Sequence, residues 1–299
     1  MLVGYVVAIF LGLVFGSFAG AQVWRLRARQ LIEDKAAGEE YDKRELKGLR
    51  HLVGAKLSSD RSRCLRCQHE LAWYDLIPLF SWISTKGRCR YCNKAIGSFE
   101  PLMELGGALL FTLLFQYLAS NYGMPMAGFV MVPWMVVAVL MLILLAYDAK
   151  WFLLPDRIMF PLIAVSAAIA LWQVSGYSDP WVAVVSTVGA VAILGGLYLL
   201  LWIISRGAWI GFGDVKLGVA LGLLLGDAKL ALLALFLANL IGLLFALPQL
   251  ISRRASGKTQ IPFGPMLILG FFIALFWGDG IIHGYLNLTN GIIANILML

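Results

Sequence analysis

Charge is scarce in this chain. Asp, Glu, Lys and Arg together make up 14% of the 299 residues, while 61% are hydrophobic. A soluble globular domain carries about 25% charged residues. The deficit excludes an ordinary water-soluble enzyme, and the apolar excess excludes a disordered or collagen-like chain. No glycine-rich loop of the phosphate-cradling kind is present and no serine sits in a nucleophile elbow, which removes two common catalytic designs. No long internal repeat is visible. Acids become rarer still beyond residue 104, where only Asp148, Asp156, Asp179, Asp214, Asp227 and Asp279 remain.

What the chain has instead is long apolar runs. About 20 such residues span the hydrocarbon as a helix, and the runs fall at 2–24, 102–119, 127–147, 158–174, 181–204, 215–225, 228–251 and 261–277. The fold class expected is therefore an all-α polytopic membrane protein of about eight transmembrane helices. The run at 215–225 is short and needs a few more residues at its cytoplasmic end. Residues 281–299 read as a surface or partly inserted segment. The first run lacks a cationic leader and a clean small-residue cleavage site, so it is expected to be a retained helix rather than a signal peptide.

The cations are segregated: 16 of the 24 Lys and Arg lie between residues 25 and 94. Loops holding that block, Lys150/Arg157, Arg206/Lys216 and Arg253/Arg254/Lys258 alternate with loops at 120–126, 175–180 and 226–227 that carry almost none, Lys229 being the nearest exception. The positive-inside bias puts the cation-rich loops in the cytoplasm. Beside a membrane such a basic block marks topology, and no nucleic-acid partner is expected. Three parts follow: a first helix (1–24), a cytoplasmic charged segment with four cysteines (25–100), and a membrane-embedded part (101–299). Within the charged segment, 30–40 and 44–56 read as helical pieces, joined through Tyr41-Asp42-Lys43, with no chemistry of their own.

Two constellations carry chemistry. Cys64-Leu65-Arg66-Cys67 and Cys89-Arg90-Tyr91-Cys92 use all four cysteines, with 21 residues between the pairs. Two residues between thiols allow a tight knuckle that turns both sulfurs toward one tetrahedral zinc. Two disulfides are the competing assignment, disfavoured on a cytoplasmic side where thiols stay reduced. His69 reads as a surface residue rather than a ligand.

The second constellation is Asp148, in Tyr147-Asp148-Ala149-Lys150, with Asp214, in Gly211-Phe212-Gly213-Asp214. Both fall at cytoplasmic helix ends. An acid at membrane depth costs about 2.5–3.5 kcal/mol on insertion scales, which makes it a functional candidate. Two carboxylates brought close share a proton, so one can act as a base on water while the other donates to a carbonyl. The bland alternative is a pair of interfacial carboxylates facing loop water, Lys150 or Lys216. Asp156 is expected to cap a helix, and Asp179, Asp227 and Asp279 to be solvated.

Several motifs occur together in a fixed order. They are Gly16-Ser17-Phe18, Arg61-Ser62-Arg63-Cys64, Trp73-Tyr74-Asp75-Leu76-Ile77-Pro78-Leu79, Gly87-Arg88-Cys89, Pro101-Leu102-Met103-Glu104-Leu105, Leu154-Pro155-Asp156, Gly213-Asp214-Val215-Lys216 and Ile261-Pro262-Phe263-Gly264-Pro265. In that order they resemble the bacterial type IV prepilin peptidases, over nearly the whole chain. The resemblance implies an inner-membrane aspartic endopeptidase with Asp148 and Asp214 as its catalytic pair. It also implies a structural zinc on Cys64, Cys67, Cys89 and Cys92, and prepilins or pseudopilins as substrates at the cytoplasmic face. Members of the family often N-methylate the new amino terminus with S-adenosylmethionine. The chain departs from the family pattern in a longer stretch at 29–56, in Ser98-Phe99-Glu100-Pro101 before the second membrane helix, and in Lys150. A reading from another class is a zinc-ribbon membrane transporter or assembly scaffold that uses the Asp pair for ions or protons.

Overall fold

The computed structural model describes residues 1–53, 61–123, 126–251 and 262–297, without the side chains of 249–250 and 291–297. The described residues form helices and no strands. They fall into two compact units, residues 1–146 and 147–299. Among the described residues, seven helical spans are long and apolar enough to cross a bilayer.

In the first unit, α1 (Leu2–Ala37) is far longer than the apolar run that starts it. The helix continues through the polar residues 25–37 and stops at Gly38, whose left-handed φ of 76° closes the C-cap. The expected helical piece at 30–40 is thus the end of α1. Asp42 then accepts from the Arg44 and Glu45 amides at 2.7 and 3.0 Å, starting α2 (Lys43–Leu49). Arg27 grips Glu45 through Nε at 3.0 Å and Nη2 at 2.6 Å, while Ala28, Leu31, Leu46 and Leu49 form a small buried core beneath that pair. The rest of the expected piece at 44–56 becomes a 3-10 turn, Arg50–Leu52, and residues 54–60 lie outside the described residues.

After the short α3 (Phe80–Ser84), helix α4 (Phe99–Tyr122) packs along α1 at backbone distance. A Cβ on Gly12 would lie 2.5 Å from the Gly107 carbonyl oxygen, and one on Gly16 2.8 Å from the Glu104 Cα. Small residues at such a seam let two helices share van der Waals contact without a hydrophobic drive between them. At the polar end of the seam Trp24 meets Phe99 edge-on at 5.5 Å and donates to Glu100 at 3.4 Å. Phe99 and Glu100, in the first turn of α4, are therefore contacts to α1. Glu104, 6% exposed, accepts from the Leu79 amide at 2.8 Å and bonds Ser17 of α1. It holds Leu79 at a φ of 57°, a conformation that L side chains rarely adopt. Helix α5 (Met126–Trp151) follows and passes into the second unit.

The second unit comprises α6 (Asp156–Ser175), α7 (Pro180–Val191), a π turn (Ala192–Gly196), α8 (Leu197–Ser205), α9 (Phe212–Leu225), α10 (Ala228–Ile251) and α11 (Phe263–Leu297). The span expected at 181–204 is one membrane-crossing length, Pro180–Ser205, interrupted by the π turn. Helix α9 lies at the centre, in contact with α6, α7, α8, α10 and α11. Its 14 residues reach about 21 Å at 1.5 Å per residue, short of the ~30 Å hydrocarbon core. The eight expected spans are therefore seven long ones and this short buried helix, which does begin a few residues before 215. Residues 281–297 continue α11 rather than forming a separate segment.

The seam between α1 and α4 is open to direct test. Gly107→Ala is expected to destabilise the protein by about 1–3 kcal/mol, the usual cost of overpacking. Gly128→Ala, where an added Cβ meets nothing within 4 Å, is expected to leave stability unchanged or slightly raised. Thermal unfolding in detergent separates the two. Equal midpoints would contradict the close packing.

Candidate active site and cysteine cluster

The two cysteine pairs form near-identical knuckles. In the first, the Cys64 amide donates to the His69 carbonyl at 3.0 Å and the Gln68 amide to the Cys64 carbonyl at 2.9 Å. In the second, Cys89 donates to Lys94 at 2.9 Å and Asn93 to Cys89 at 2.8 Å. Gln68 and Asn93, the residues after each second cysteine, both take a left-handed φ, of 63° and 56°. Isolated bridges Arg63–Glu70 and Arg88–Ala95 close the two turns.

The four sulfurs lie within 4.8 Å of one another. Tetrahedral zinc with Zn–S near 2.3 Å spaces its sulfurs about 3.8 Å apart, so the cluster fits a single ion after a small contraction. No disulfide joins the cysteines. His69 is exposed and stacks on Tyr91, ring centroids 3.7 Å apart, outside the cluster. Asp75 braces the second knuckle: its carboxylate accepts from Arg90 Nε and the Tyr91 hydroxyl at 2.9 Å, and from the Ala72 amide at 3.2 Å. Arg90 and Tyr91 are the two residues between Cys89 and Cys92. The Tyr91 hydroxyl is pushed up to about 12 by its hydrogen bonds to Tyr74 and Asp75.

Asp148 and Asp214 line one cavity of about 1140 Å³ in the second unit. Asp148 lies three residues before the end of α5, and Asp214 is the third residue of α9. Asp148 is 5% exposed and accepts the Gly264 amide at 3.0 Å. Asp214 is half-buried, within reach of the Gly211 amide and within electrostatic range of Asp148. Leu154 explains two of the glycines around the pair. A Cβ on Gly213 would stand 2.9 Å from the Leu154 Cβ, and one on Gly264 would stand 2.7 Å from Asp148 Oδ2 and 3.4 Å from Leu154 Cδ2. The turn that delivers Leu154 starts at Phe152, whose φ is 58° and whose amide returns to the Asp148 carbonyl at 2.9 Å.

Asp156 departs from expectation. Pro155 holds the N-cap position, and Asp156 in the first turn of α6 pairs with Lys216 Nζ at 2.6 Å. That lysine is one turn into α9, so the pair ties the starts of two helices. Asp179 and Asp227 do cap helices, accepting amides of residues 181–182 and 229–230, and Asp279 is exposed on α11.

Sequence reasoning missed two further kinds of residue. Glu104 belongs to a quoted motif but was not picked out as an acid at membrane depth. Tyr198, Asn239 and Phe263 line the cavity, and no local motif marks the first two. Ile261 and the cations Arg253, Arg254 and Lys258 lie outside the described residues.

Residues 10–118 match the bacterial peptidase A24 N-terminal domain, and residues 135–247 match the type IV leader peptidase family. The chain is similar to a prepilin leader peptidase/N-methyltransferase of Aeromonas salmonicida (strain A449), 32% identical over 92% of this chain and 91% of that protein. Proteins of the same name in Pseudomonas aeruginosa and Bacillus subtilis are 31% and 30% identical, over 93% and 82% of this chain and 92% of each relative. No solved structure matches it. Two family domains in order, and relatives aligned along almost their whole length, place this multi-pass membrane protein in the type IV leader peptidase family.

Proposed function

We propose that this chain is a prepilin peptidase that removes the short leader of type IV prepilins or pseudopilins, with Asp148 and Asp214 as its catalytic pair. The observation that carries the reading is the shared cavity. Two acids far apart in the chain line it together, one of them a buried carboxylate held by a backbone amide. The relatives' names give the substrate class. The helix-end positions of both acids also favour hydrolysis over transport, since a carrier keeps its polar site near the bilayer midplane.

The chemistry needs one water and one shared proton. Two carboxylates that hold one water between them share a proton rather than both ionise. The ionised one takes a proton from water as its oxygen attacks the peptide carbonyl. The protonated one gives its proton to the carbonyl oxygen, forming a tetrahedral diol. The C–N bond then breaks as the leaving nitrogen takes a proton from the first carboxyl and a diol hydroxyl returns its proton to the second carboxylate, which restores the pair. The Gly264 amide fixes the orientation of Asp148 throughout. The cation distribution supports a cytoplasmic reading for the loops beside the cysteines and beside both acids.

Cys64, Cys67, Cys89 and Cys92 are proposed to hold one structural zinc. Four thiolates complete its tetrahedron and leave no open position for a substrate, so the ion would fix the two knuckles and take no part in hydrolysis. The relatives' names also include N-methyltransferase. Such an activity needs a second site for a sulfonium donor such as S-adenosylmethionine, held in line with a neutral amine. Trp73, 76% exposed and edge-to-face with Tyr74 at 5.7 Å, offers aromatic surface suited to a sulfonium.

Three outcomes are expected. Asp148→Asn and Asp214→Asn should each lower cleavage of co-expressed prepilin by at least ~10³-fold, as loss of one member of a catalytic unit does, with membrane insertion unchanged. Near-wild-type cleavage by either variant would sink the pairing. Elemental analysis of the purified protein should give about one zinc per chain. A metal-free preparation with oxidised cysteines would rule the site out. Mass spectrometry of mature pilin, from cells with this enzyme alone, should show a methylated amino terminus. A cleaved but unmethylated product would limit the enzyme to hydrolysis.

A further inference from the structure

The stretch from Ala192 to Ser205 is apolar except for the hydroxyls of Tyr198 and the terminal Ser205. A tyrosine hydroxyl inside such a span must find a partner, because burying it unpaired is unfavourable. Tyr198 is only 3% exposed, and its hydroxyl has no hydrogen-bond partner among the described residues. As a packing residue, phenylalanine would fill the same space against Phe263, the ring neighbour at 5.5 Å. The extra oxygen calls for another explanation.

The local backbone supplies part of it. The π turn at Ala192–Gly196 ends just before α8, two residues ahead of Tyr198. A π turn inserts one residue into the helical register and so re-aims every side chain that follows; such turns recur at functional sites. This one lies where the span meets α9 at backbone distance. A Cβ on Gly195 would stand 2.7 Å from Val219 Cγ2, and one on Gly222 2.7 Å from the Val191 Cα. The packing that fixes Asp214 on α9 therefore also fixes the register that turns Tyr198 into the cavity. Its hydroxyl lies within electrostatic range of Asp214, and the ring lines the same cavity as both acids.

We propose that Tyr198 contacts the peptide substrate: its hydroxyl donates a hydrogen bond to a main-chain carbonyl oxygen beside the scissile bond. The inference rests on the peptidase reading of Asp148 and Asp214. The hydroxyl is covered at rest, so an extended peptide entering the cavity would part that cover and bring an unpaired carbonyl oxygen, the acceptor this hydroxyl lacks. The bond would hold the scissile carbonyl in register with the two carboxylates, where small misplacements are costly to the rate.

Tyr198→Phe keeps the ring and removes only the oxygen. The experiment measures prepilin cleavage by purified Tyr198→Phe, Asp148→Asn and wild type in detergent, with thermal unfolding of each. Tyr198→Phe is expected to lose roughly 10- to 100-fold in kcat/KM, the range for a lost substrate hydrogen bond, while its unfolding midpoint stays equal to wild type or rises. Wild-type kcat/KM in Tyr198→Phe would overturn the proposal, as would a loss matched by a lowered midpoint, which marks a structural role. Asp148→Asn separates the two failures. If it is inactive while Tyr198→Phe cleaves normally, only the tyrosine proposal fails; if it cleaves normally, the catalytic assignment of Asp148 fails with it.

Discussion

A carboxylate buried at the end of an apolar helix is the constraint on which the second unit depends. Asp148 has 5% of its surface exposed, and a buried carboxyl needs a strong donor. The Gly264 amide supplies it from the start of α11, and that contact leaves no room for a side chain at Gly264. Leu154 fills the remaining space against Gly213 and Gly264. Three separated motifs are thereby reduced to one steric problem, how to bring α5, α9 and α11 to a common point around a carboxylate. The short α9 solves the rest. Enclosed by five neighbouring helices and the π turn, it can be too short to span a bilayer and still present Asp214 from its first turn.

The first unit meets a parallel constraint with different parts. Its cysteine knuckles carry little apolar material, so polar anchors hold them. Asp75 satisfies three donors around the second knuckle. Glu104 reaches from α4 to the Leu79 amide and to Ser17, joining the loop between the knuckles to both helices of the seam. The small core of α2 against α1, with Leu65 beside it, supports the first knuckle from the other side. The described part of the charged stretch, up to residue 53, is thus a packed buttress.

Much of this was legible in the sequence. Apolar runs gave the helices, because a 20-residue run has few alternatives in a membrane. Cysteine spacing gave the cluster, and scarcity of acids beyond residue 104 drew attention to Asp148 and Asp214. What was not legible depended on contacts distant in the chain. Asp156 looked like a cap until Lys216, 60 residues away, turned out to be its partner. The extension of α1 through residue 37 was hidden because hydropathy ends where the helix does not. Glu104 counted with the charged block because only the fold brings Leu79 to it. Tyr198 was invisible because one apolar helix reads like another until a π turn rotates its side chains.

The central claim is that Asp148 and Asp214 act as one unit on a peptide in a single cavity. A double-mutant cycle tests this most directly, with prepilin cleavage measured for Asp148→Asn, Asp214→Asn and the double variant under one set of conditions. Residues that form one catalytic unit are strongly non-additive. The double variant should therefore be no slower than the slower single one. Losses that multiply would show two independent contributions, and would contradict the shared-proton pair.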